Sequence, residues 1–450
     1  MSLIDEFLKT VNEQKDNVAI VSKKHNKTYQ DLFVDVNKLI TKFEKLNIQK
    51  NSKMLLLVNM SYEMYVGIFA CCLYGLDVVI IDNFKDKKRV NQQLIDVDVD
   101  YVLTNNITSL VKNIFRPLQK VKSINVIKTL KEIKETKNFE YSTDAKLITF
   151  TSGGTGNPKP VQRSLDDLEK QLKLTINVVG NLQNEYVLAT LPIYTLACLI
   201  EGIKVYIPSK KENLNDVIKK EQPTVMFSSI SKYLTIDDAP SLKKAYFGGS
   251  ILYYQEALKI RRSLPNAKVT YIYGATEASI ISTTTLDDYI KSLNNNELCL
   301  GDILPNNQIT INEEEIIVSK GIITNNYLNQ ENKEFHPTKD LGYVKDNKIY
   351  LTGRKITDQI KSNYLLEMLV KKAFSEIFPI AILVIENQYH IYLEEFDASK
   401  RLDIIAILEN YIQNGVIHII KKLPLDYRHQ AKIDYKKLLK IDNGDKYVQY

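Results

Sequence analysis

Tryptophan is absent from this 450-residue chain, and cysteine is nearly so, with four residues: Cys71, Cys72, Cys198 and Cys299. None of them forms a Cys-x-x-Cys pair. That argues against a disulfide framework and a thiolate zinc site, and for a reducing, cytoplasmic compartment. Cys71 and Cys72 lie in an apolar run, where a free thiol behaves as a small hydrophobe. A long hydrophobic run is also missing. The most apolar stretch, Tyr65 to Ile81, is broken by Gly75 and Asp77. It reads as a helix, a glycine stop and a strand, too interrupted to span a bilayer. The opening Met1-Ser-Leu-Ile-Asp-Glu-Phe7 has no basic region, so no signal peptide is expected. Charge of one sign is in small excess only. The net charge is +6 with pI near 8.7, and the lysines are interleaved with Asp, Glu and Asn along the chain. A solvated surface accounts for them, and nucleic acid is not an expected partner. Composition alone gives no support for contact with an anionic membrane.

What is present is ordinary globular material. Apolar residues make up 44% and charged residues 25% of the chain. Its length predicts two or three domains with a large core. Helical and strand patterns alternate. Tyr29 to Leu46 and Met64 to Leu73 have helical spacing. Met54-Leu-Leu-Leu-Val58, Val78-Val-Ile-Ile81, Tyr101-Val-Leu103, Ser123-Ile-Asn-Val126 and Leu147-Ile-Thr-Phe150 read as strands. Such alternation predicts an α/β fold with mostly parallel sheets. From Leu300 to Tyr350 the character changes to short strands and Asn-rich turns, which suggests a β-rich lobe. From Leu365 onward helix and strand alternate again, which suggests a small mobile α+β domain. The expected division is 1–353 and 354–450, beside Gly353-Arg354.

Three small-residue turns follow predicted strands. The first is Thr151-Ser-Gly-Gly-Thr-Gly-Asn-Pro-Lys159, after Leu147 to Phe150. Glycines let backbone N–H groups turn inward, and hydroxyls and a lysine add donors and charge, as a phosphate site requires. The Walker spacing is absent, and such a stretch by itself suits an ordinary turn equally well. The second is Phe247-Gly-Gly-Ser250. The third is Tyr271-Ile-Tyr-Gly-Ala-Thr-Glu277, after Lys268-Val-Thr270. Open α/β sheets bind ligands at the carboxyl ends of their strands, so the three turns can converge on one ligand. Tyr273 can stack on a base, Thr276 can donate to a phosphate, and Glu277 is a hard-oxygen ligand suited to Mg²⁺. Asp340, in Thr338-Lys-Asp-Leu-Gly-Tyr343, can chelate a ribose diol, although Asp-x-Gly is also a hairpin turn.

Taken in order, these elements resemble the adenylate-forming superfamily, which includes acyl-CoA synthetases and the adenylation domains of peptide synthetases. Asn17-Val-Ala-Ile20, Thr28-Tyr-Gln-Asp-Leu32, Gly353-Arg354 and the ending Asp426-Tyr-Arg-His-Gln-Ala-Lys-Ile-Asp434 extend the resemblance over nearly the whole chain. It implies ATP, Mg²⁺ and CoA as cofactors, with a carrier-protein pantetheine as the alternative thiol. Thr151, Ser152, Gly153, Gly154, Thr155, Gly156 and Lys159 would hold the ATP phosphates. Gly248, Gly249 and Ser250 would line the adenine and acyl pockets. Tyr273 would pack against adenine, Thr276 would touch the α-phosphate, and Glu277 would help bind Mg²⁺. Asp340 would bind the ribose, with Arg354 beside it, and Lys432 would bridge the carboxylate and the α-phosphate. The implied activity is that of an acid–thiol ligase acting on a small-molecule carboxylate, with an acyl carrier protein as the alternative partner. Intramolecular β-lactone formation and a nucleotide-binding homologue without turnover are further alternatives.

The chain departs from the family pattern in several places. Gly154 replaces a usual hydroxyl residue, and Pro160 replaces a common glycine. Lys339 stands where glycine precedes the aspartate, and Tyr194 stands where a histidine is usual. The segment after Asp358-Gln-Ile-Lys361 lacks an expected glycine pair. Family members that take amino acids carry an Asp in the region of Tyr194 to Ile200. No acid occurs here before Glu201, and a buried unpaired ammonium would be costly. The expected acid is therefore apolar, fatty or aryl, with Thr195 to Ile200 as its wall.

Overall fold

The computed structural model describes residues 3–449 except 82, 83, 85, 138, 143, 151–158, 325, 326, 329–333, 426–432 and 442–446. Two mostly parallel sheets dominate it. The first has six strands, in the order Lys122–Asn125, Tyr101–Thr104, Lys53–Leu57, Asp77–Val79, Lys146–Phe150 and Pro160–Ser164. Only the last pairing is antiparallel. The interior strands are short aliphatic runs buried on both faces, as expected of a sheet covered by helices. The second sheet continues in parallel from Val18–Val21 through Lys204–Tyr206, Tyr186–Ala189, Val225–Phe227 and Lys244–Gly248 to Lys268–Ala275.

The helices are fixed at their starts by local chemistry. Thr28 caps Tyr29–Lys45 and Ser164 caps Leu165–Val179, each by a reciprocal pair of hydrogen bonds with an aspartate three residues on. The Tyr62–Tyr74 helix is buried almost all round, including Cys71 and Cys72. It stops at Gly75, whose φ of +89° only glycine adopts without strain. Its side chains join a core that includes residues of both sheets.

One strand differs from expectation. Lys268-Val-Thr270 does not end in a turn at Tyr271. The strand runs Lys268–Ala275, because Ser279–Thr285 pairs back along it, with a register shift between Tyr273 and Gly274. Val269 and Tyr271 face the core of this strand. After it the sheet turns antiparallel through Leu298–Ile303 and Lys348–Lys355. The expected β-rich lobe is a meander of Gln308–Asn312, Glu315–Lys320, His336–Lys345 and Lys348–Lys355. Lys348–Lys355 runs straight through Gly353-Arg354 and pairs with Ile360–Asn363. Ile380–Ile385, Gln388–Glu394 and Gly415–Ile420 extend that pairing, with the Tyr364–Ala373 helix packed on it.

Candidate active site

Two cavities lie back to back at the carboxyl ends of Lys244–Gly248 and Lys268–Ala275. One measures about 400 Å³ and the other about 310 Å³. Gly249, Ile272 and Gly274 line both. Glycine is required at this shared wall. A Cβ at Gly248 would sit 2.2 Å from the Ile272 carbonyl oxygen, and Gly249 has φ +86°. Two of the predicted turns therefore do converge. The third lies outside the described residues, as do its members Thr151, Ser152, Gly153, Gly154, Thr155 and Gly156. Thr149, two residues before that turn, lines the smaller cavity. Lys432 also lies outside the described residues.

The larger cavity is built around Asp340. Asp340 and Arg354 are direct partners across adjacent strands. Arg354 Nη1 lies 2.5 Å from Asp340 Oδ1, and the Tyr273 hydroxyl donates to Oδ2 at 2.8 Å. The Asp340 N–H donates to Thr338 Oγ1. Burial, followed by the Asp340 charge, pushes the Tyr273 phenol well above its ordinary value, so it stays a donor. The Asp340 charge in turn raises the Arg354 guanidinium further. Lys339 has φ +65°, left-handed backbone where glycine is the unstrained residue. That geometry explains why a glycine is expected before this aspartate. The alternative reading of Asp340 as part of a hairpin turn does not hold, because the residue sits inside the His336–Lys345 strand.

Lys159, Tyr327 and Glu277 form a second group. Lys159 Nζ lies 5.0 Å from the centre of the Tyr327 ring, and the Tyr327 hydroxyl donates to Glu277 Oε1 at 3.1 Å. The segment carrying Tyr327 pairs with the Pro160–Ser164 strand, through a Val161–Tyr327 bridge and the Leu328 N–H donating to Pro160. Glu277 is buried. No cluster of three or more potential metal-ligating side chains occurs among the described residues. A single carboxylate suits Mg²⁺, which is commonly held by one or two carboxylates plus substrate phosphates. Glu277 therefore fits that ion.

Arg163 was not anticipated. It is only 5% exposed and lines the smaller cavity. Its Nη1 donates to Thr149 Oγ1 at 2.8 Å and its Nη2 to the Thr276 carbonyl at 3.1 Å. It thus ties the strand before the Gly-rich turn to the residue preceding Glu277. The available signal was an arginine at an inward position of an alternating strand, Pro160–Ser164.

The smaller cavity is the acid-pocket candidate. Its expected wall needs correction. Of Thr195 to Ile200 only Leu196 lines it, and the others turn into the core. The Pro192–Ile200 helix is apolar on all sides, so one face meets the cavity and the rest packs inside. Leu191, Pro192, Ile193 and Tyr194 supply the rest of that wall. Tyr194 stacks on Phe227 with ring centres 4.8 Å apart, and Phe227 stacks on Tyr246. Among the described residues no Asp or Glu lines this cavity.

A third group was also not anticipated. Glu367 is fully buried, and its carboxylate accepts from the Tyr253 hydroxyl and, at 3.0 Å, from the Ile382 N–H. Lys371 Nζ lies 3.5 Å from the centre of the Tyr253 ring, and Gln255 donates to the Phe374 carbonyl. Burial pushes the Glu367 carboxyl up to about 7 and the Lys371 ammonium down. These residues join the Tyr254–Ser263 helix to the Tyr364–Ala373 helix, and Glu256, Glu367 and Lys371 line the larger cavity.

Comparison with known proteins gives these shapes a context. The family described as AMP-binding enzyme matches residues 7–321. D-alanine–D-alanyl carrier protein ligase of Streptococcus pneumoniae is 24% identical over 489 residues, covering 94% of this chain and 87% of that protein. Bacitracin synthase 1 of Bacillus licheniformis is 24% identical over 375 residues, covering 75% of this chain but only 7% of its own length. Among solved structures, o-succinylbenzoate coenzyme A synthetase from Bacillus subtilis, in complex with ATP and magnesium ion, superposes with a TM-score of 0.81 at 19% identity. That match covers 96% of this chain and 99% of the other.

Proposed function

The chain belongs to the AMP-binding enzyme family, and on that premise we propose that it activates an apolar carboxylic acid with ATP and passes the acyl group to a thiol. The observation that carries this reading is the pair of cavities sharing one glycine wall. One holds Asp340 braced by Arg354 and Tyr273, and the other, the acid pocket of this reading, has no carboxylate among its described lining residues.

In this reading the nucleoside occupies the larger cavity. Asp340 accepts the ribose hydroxyls, while Arg354 and Tyr273 hold it in orientation. A carboxylate offers about four lone-pair positions, so those two partners leave room for the sugar. The Tyr273 ring packs against adenine, with Gly249 and Ser250 along the wall and Gly248 on the side of the smaller cavity. Thr276 touches the α-phosphate, and Arg163 fixes the carbonyl of that residue. Lys159, with Thr151, Ser152, Gly153, Gly154, Thr155 and Gly156, holds the remaining phosphates. Glu277 would help hold Mg²⁺, and the ion would supply neutralisation of phosphate charge.

An acid oxygen attacks the α-phosphorus, a new P–O bond forms, and the bond to pyrophosphate breaks. Both reactants are anions, so a cation spanning them lowers the barrier. Lys432 takes that role, and one such contact is worth roughly 3 kcal/mol. A thiol sulfur then attacks the acyl carbon and AMP leaves. Residues 354–450 act as a small domain that moves about Gly353-Arg354 between the two steps.

The acceptor is CoA or the pantetheine of a carrier protein. A carrier is favoured by the near-full-length likeness to a D-alanyl carrier protein ligase. That relative's name specifies an amino acid, whereas among the described residues the pocket here has no acid to pair an ammonium. ATP–pyrophosphate exchange across fatty, aryl and amino acids tests the substrate. Exchange with an amino acid alone would overturn the apolar reading. Thioester formation with CoA, or with a pantetheinylated carrier only, decides the acceptor.

A further inference from the structure

We propose that the surface around Thr108–Ile114 docks on an anionic lipid bilayer. This surface is remote in sequence from the adenylation residues and does not depend on which acid or thiol is used. It belongs to the crossover between the parallel strands Tyr101–Thr104 and Lys122–Asn125, the latter being the edge strand of the first sheet.

The segment carries two sets of apolar residues where a crossover needs one. The inner set is complete. Phe115 and Leu118 are buried, and Phe115 packs on Phe84 with ring centres 5.8 Å apart. The outer set faces water: Ile107 is 73% exposed, Leu110 82%, Val111 37% and Ile114 50%. Their spacing is i, i+3, i+4 and i+7, which brings them onto one face of the helical turns Thr108–Val111 and Lys112–Ile114. Single exposed aliphatics are ordinary, but four on one stripe mark an interaction surface.

The knob is tied down. Asn105 Oδ1 accepts from the Ile107 and Thr108 N–H groups at 3.0 and 2.9 Å. Asn125 Nδ2 donates to Asn106 Oδ1 at 3.1 Å, and Gln119 donates to the Asn113 carbonyl at 3.2 Å. The stripe is therefore presented by a folded loop.

Its charge selects the partner. Residues 101–131 contain six basic side chains and no acid: Lys112, Arg116, Lys120, Lys122, Lys128 and Lys131. Lys112 turns inward to the Val121 carbonyl, and Lys128 pairs with Glu132. Arg116 and Lys120 are exposed, and the Gln119 hydrogen bond to Asn113 holds their stretch against the Ile114 end of the stripe. Lys122 stands in register with Tyr101, at the far end of its strand. Aliphatic tips flanked on one side by basic heads are an arrangement by which a surface element sits in the headgroup region. The side chains enter the acyl boundary while the cations meet lipid phosphates. A protein partner is less well matched, because protein interfaces are enriched in aromatic residues and Met, which this stripe lacks.

The test is co-sedimentation of the full chain with vesicles. Binding is expected to vesicles in which about a third of the phosphatidylcholine is replaced by phosphatidylglycerol, and not to phosphatidylcholine alone. It should weaken steeply as salt rises, because the Debye length shortens to a few Å near ~1 M. Ile107→Ser with Leu110→Ser should reduce binding by about tenfold or more, and Arg116→Glu with Lys120→Glu should do the same. Each double variant should keep its far-ultraviolet circular dichroism and its ATP–pyrophosphate exchange. Absence of binding to anionic vesicles would overturn the proposal, and so would equal binding by the aliphatic double variant. Concentration-dependent self-association lost in that variant, without vesicle binding, would assign the face to a second copy of the chain instead.

Discussion

Asp340 and Arg354 stand opposite each other on adjacent strands, and a single ion pair of 2.5 Å closes that register position beside the larger cavity. Each residue leaves the other uncompensated if removed. Arg354→Ala should therefore lower stability by about 1–3 kcal/mol, less than the full cost for a wholly buried pair because the arginine keeps some solvent contact. It should also raise the KM for ATP by at least about tenfold, since the aspartate loses its orientation. Asp340→Asn should raise that KM similarly with a smaller stability loss. Thermal unfolding and exchange kinetics read the two effects separately.

Arg163 acts through the residues it holds. Its hydrogen bonds, made by a charged donor, are worth roughly 1.5–3 kcal/mol each. Arg163→Met should cut kcat for pyrophosphate exchange by about tenfold to a hundredfold, with a smaller change in KM. Arg163→Lys should recover part of kcat, because one of the two donors can be replaced. A variant that loses only stability, with kcat intact in the folded fraction, would make the arginine purely structural.

Glu367 gives stability a pH dependence. Its carboxyl titrates at about 7 in the folded chain, raised by burial, against about 4.3 for an unperturbed glutamate. The folded state thus holds a proton that the unfolded state has lost, and stability falls as pH rises between those values. The full effect is roughly 4 kcal/mol at most. Denaturant titrations from pH 4.5 to 7.5 should show this decline, and Glu367→Gln should flatten it. Lys371 titrates with the opposite sign, because burial lowers its value. It regains stability as pH rises from its folded value toward its unfolded one.

Lys432→Ala should lower acyl-adenylate formation by about two to three orders of magnitude, the loss of one strong transition-state contact. ATP affinity should change much less, because Asp340 and Tyr273 still hold the nucleoside. The variant should still convert a supplied acyl-adenylate to thioester. Unaltered exchange in a folded variant would remove the lysine from the mechanism.

Much of the fold was legible because its strands are short aliphatic runs and its helices begin at Thr28 and Ser164 caps, both local signals. That Asp340, Tyr273, Gly248 and Gly249 gather at the paired cavities was legible from motif order; their roles rest on the proposed function. Arg163, Tyr327 and Glu367 were not. Tyr327 meets Glu277 across 50 residues, and Tyr253 meets Glu367 across 114. No local spacing encodes such a pairing. The strand through Tyr271 was cut short for the same reason, since its length is set by the partner strand Ser279–Thr285. The acid-pocket wall was misplaced because an all-apolar helix gives no indication of which face meets the cavity.

The wall made by Gly249, Ile272 and Gly274 belongs to both cavities, so a displacement of that wall changes both. Occupancy of one is then a free-energy term in the other. Whatever factor an acid applies to the affinity for ATP, ATP must apply to the affinity for that acid. If the two cavities take ATP and the acid as proposed, acids are to be ranked with nucleotide bound.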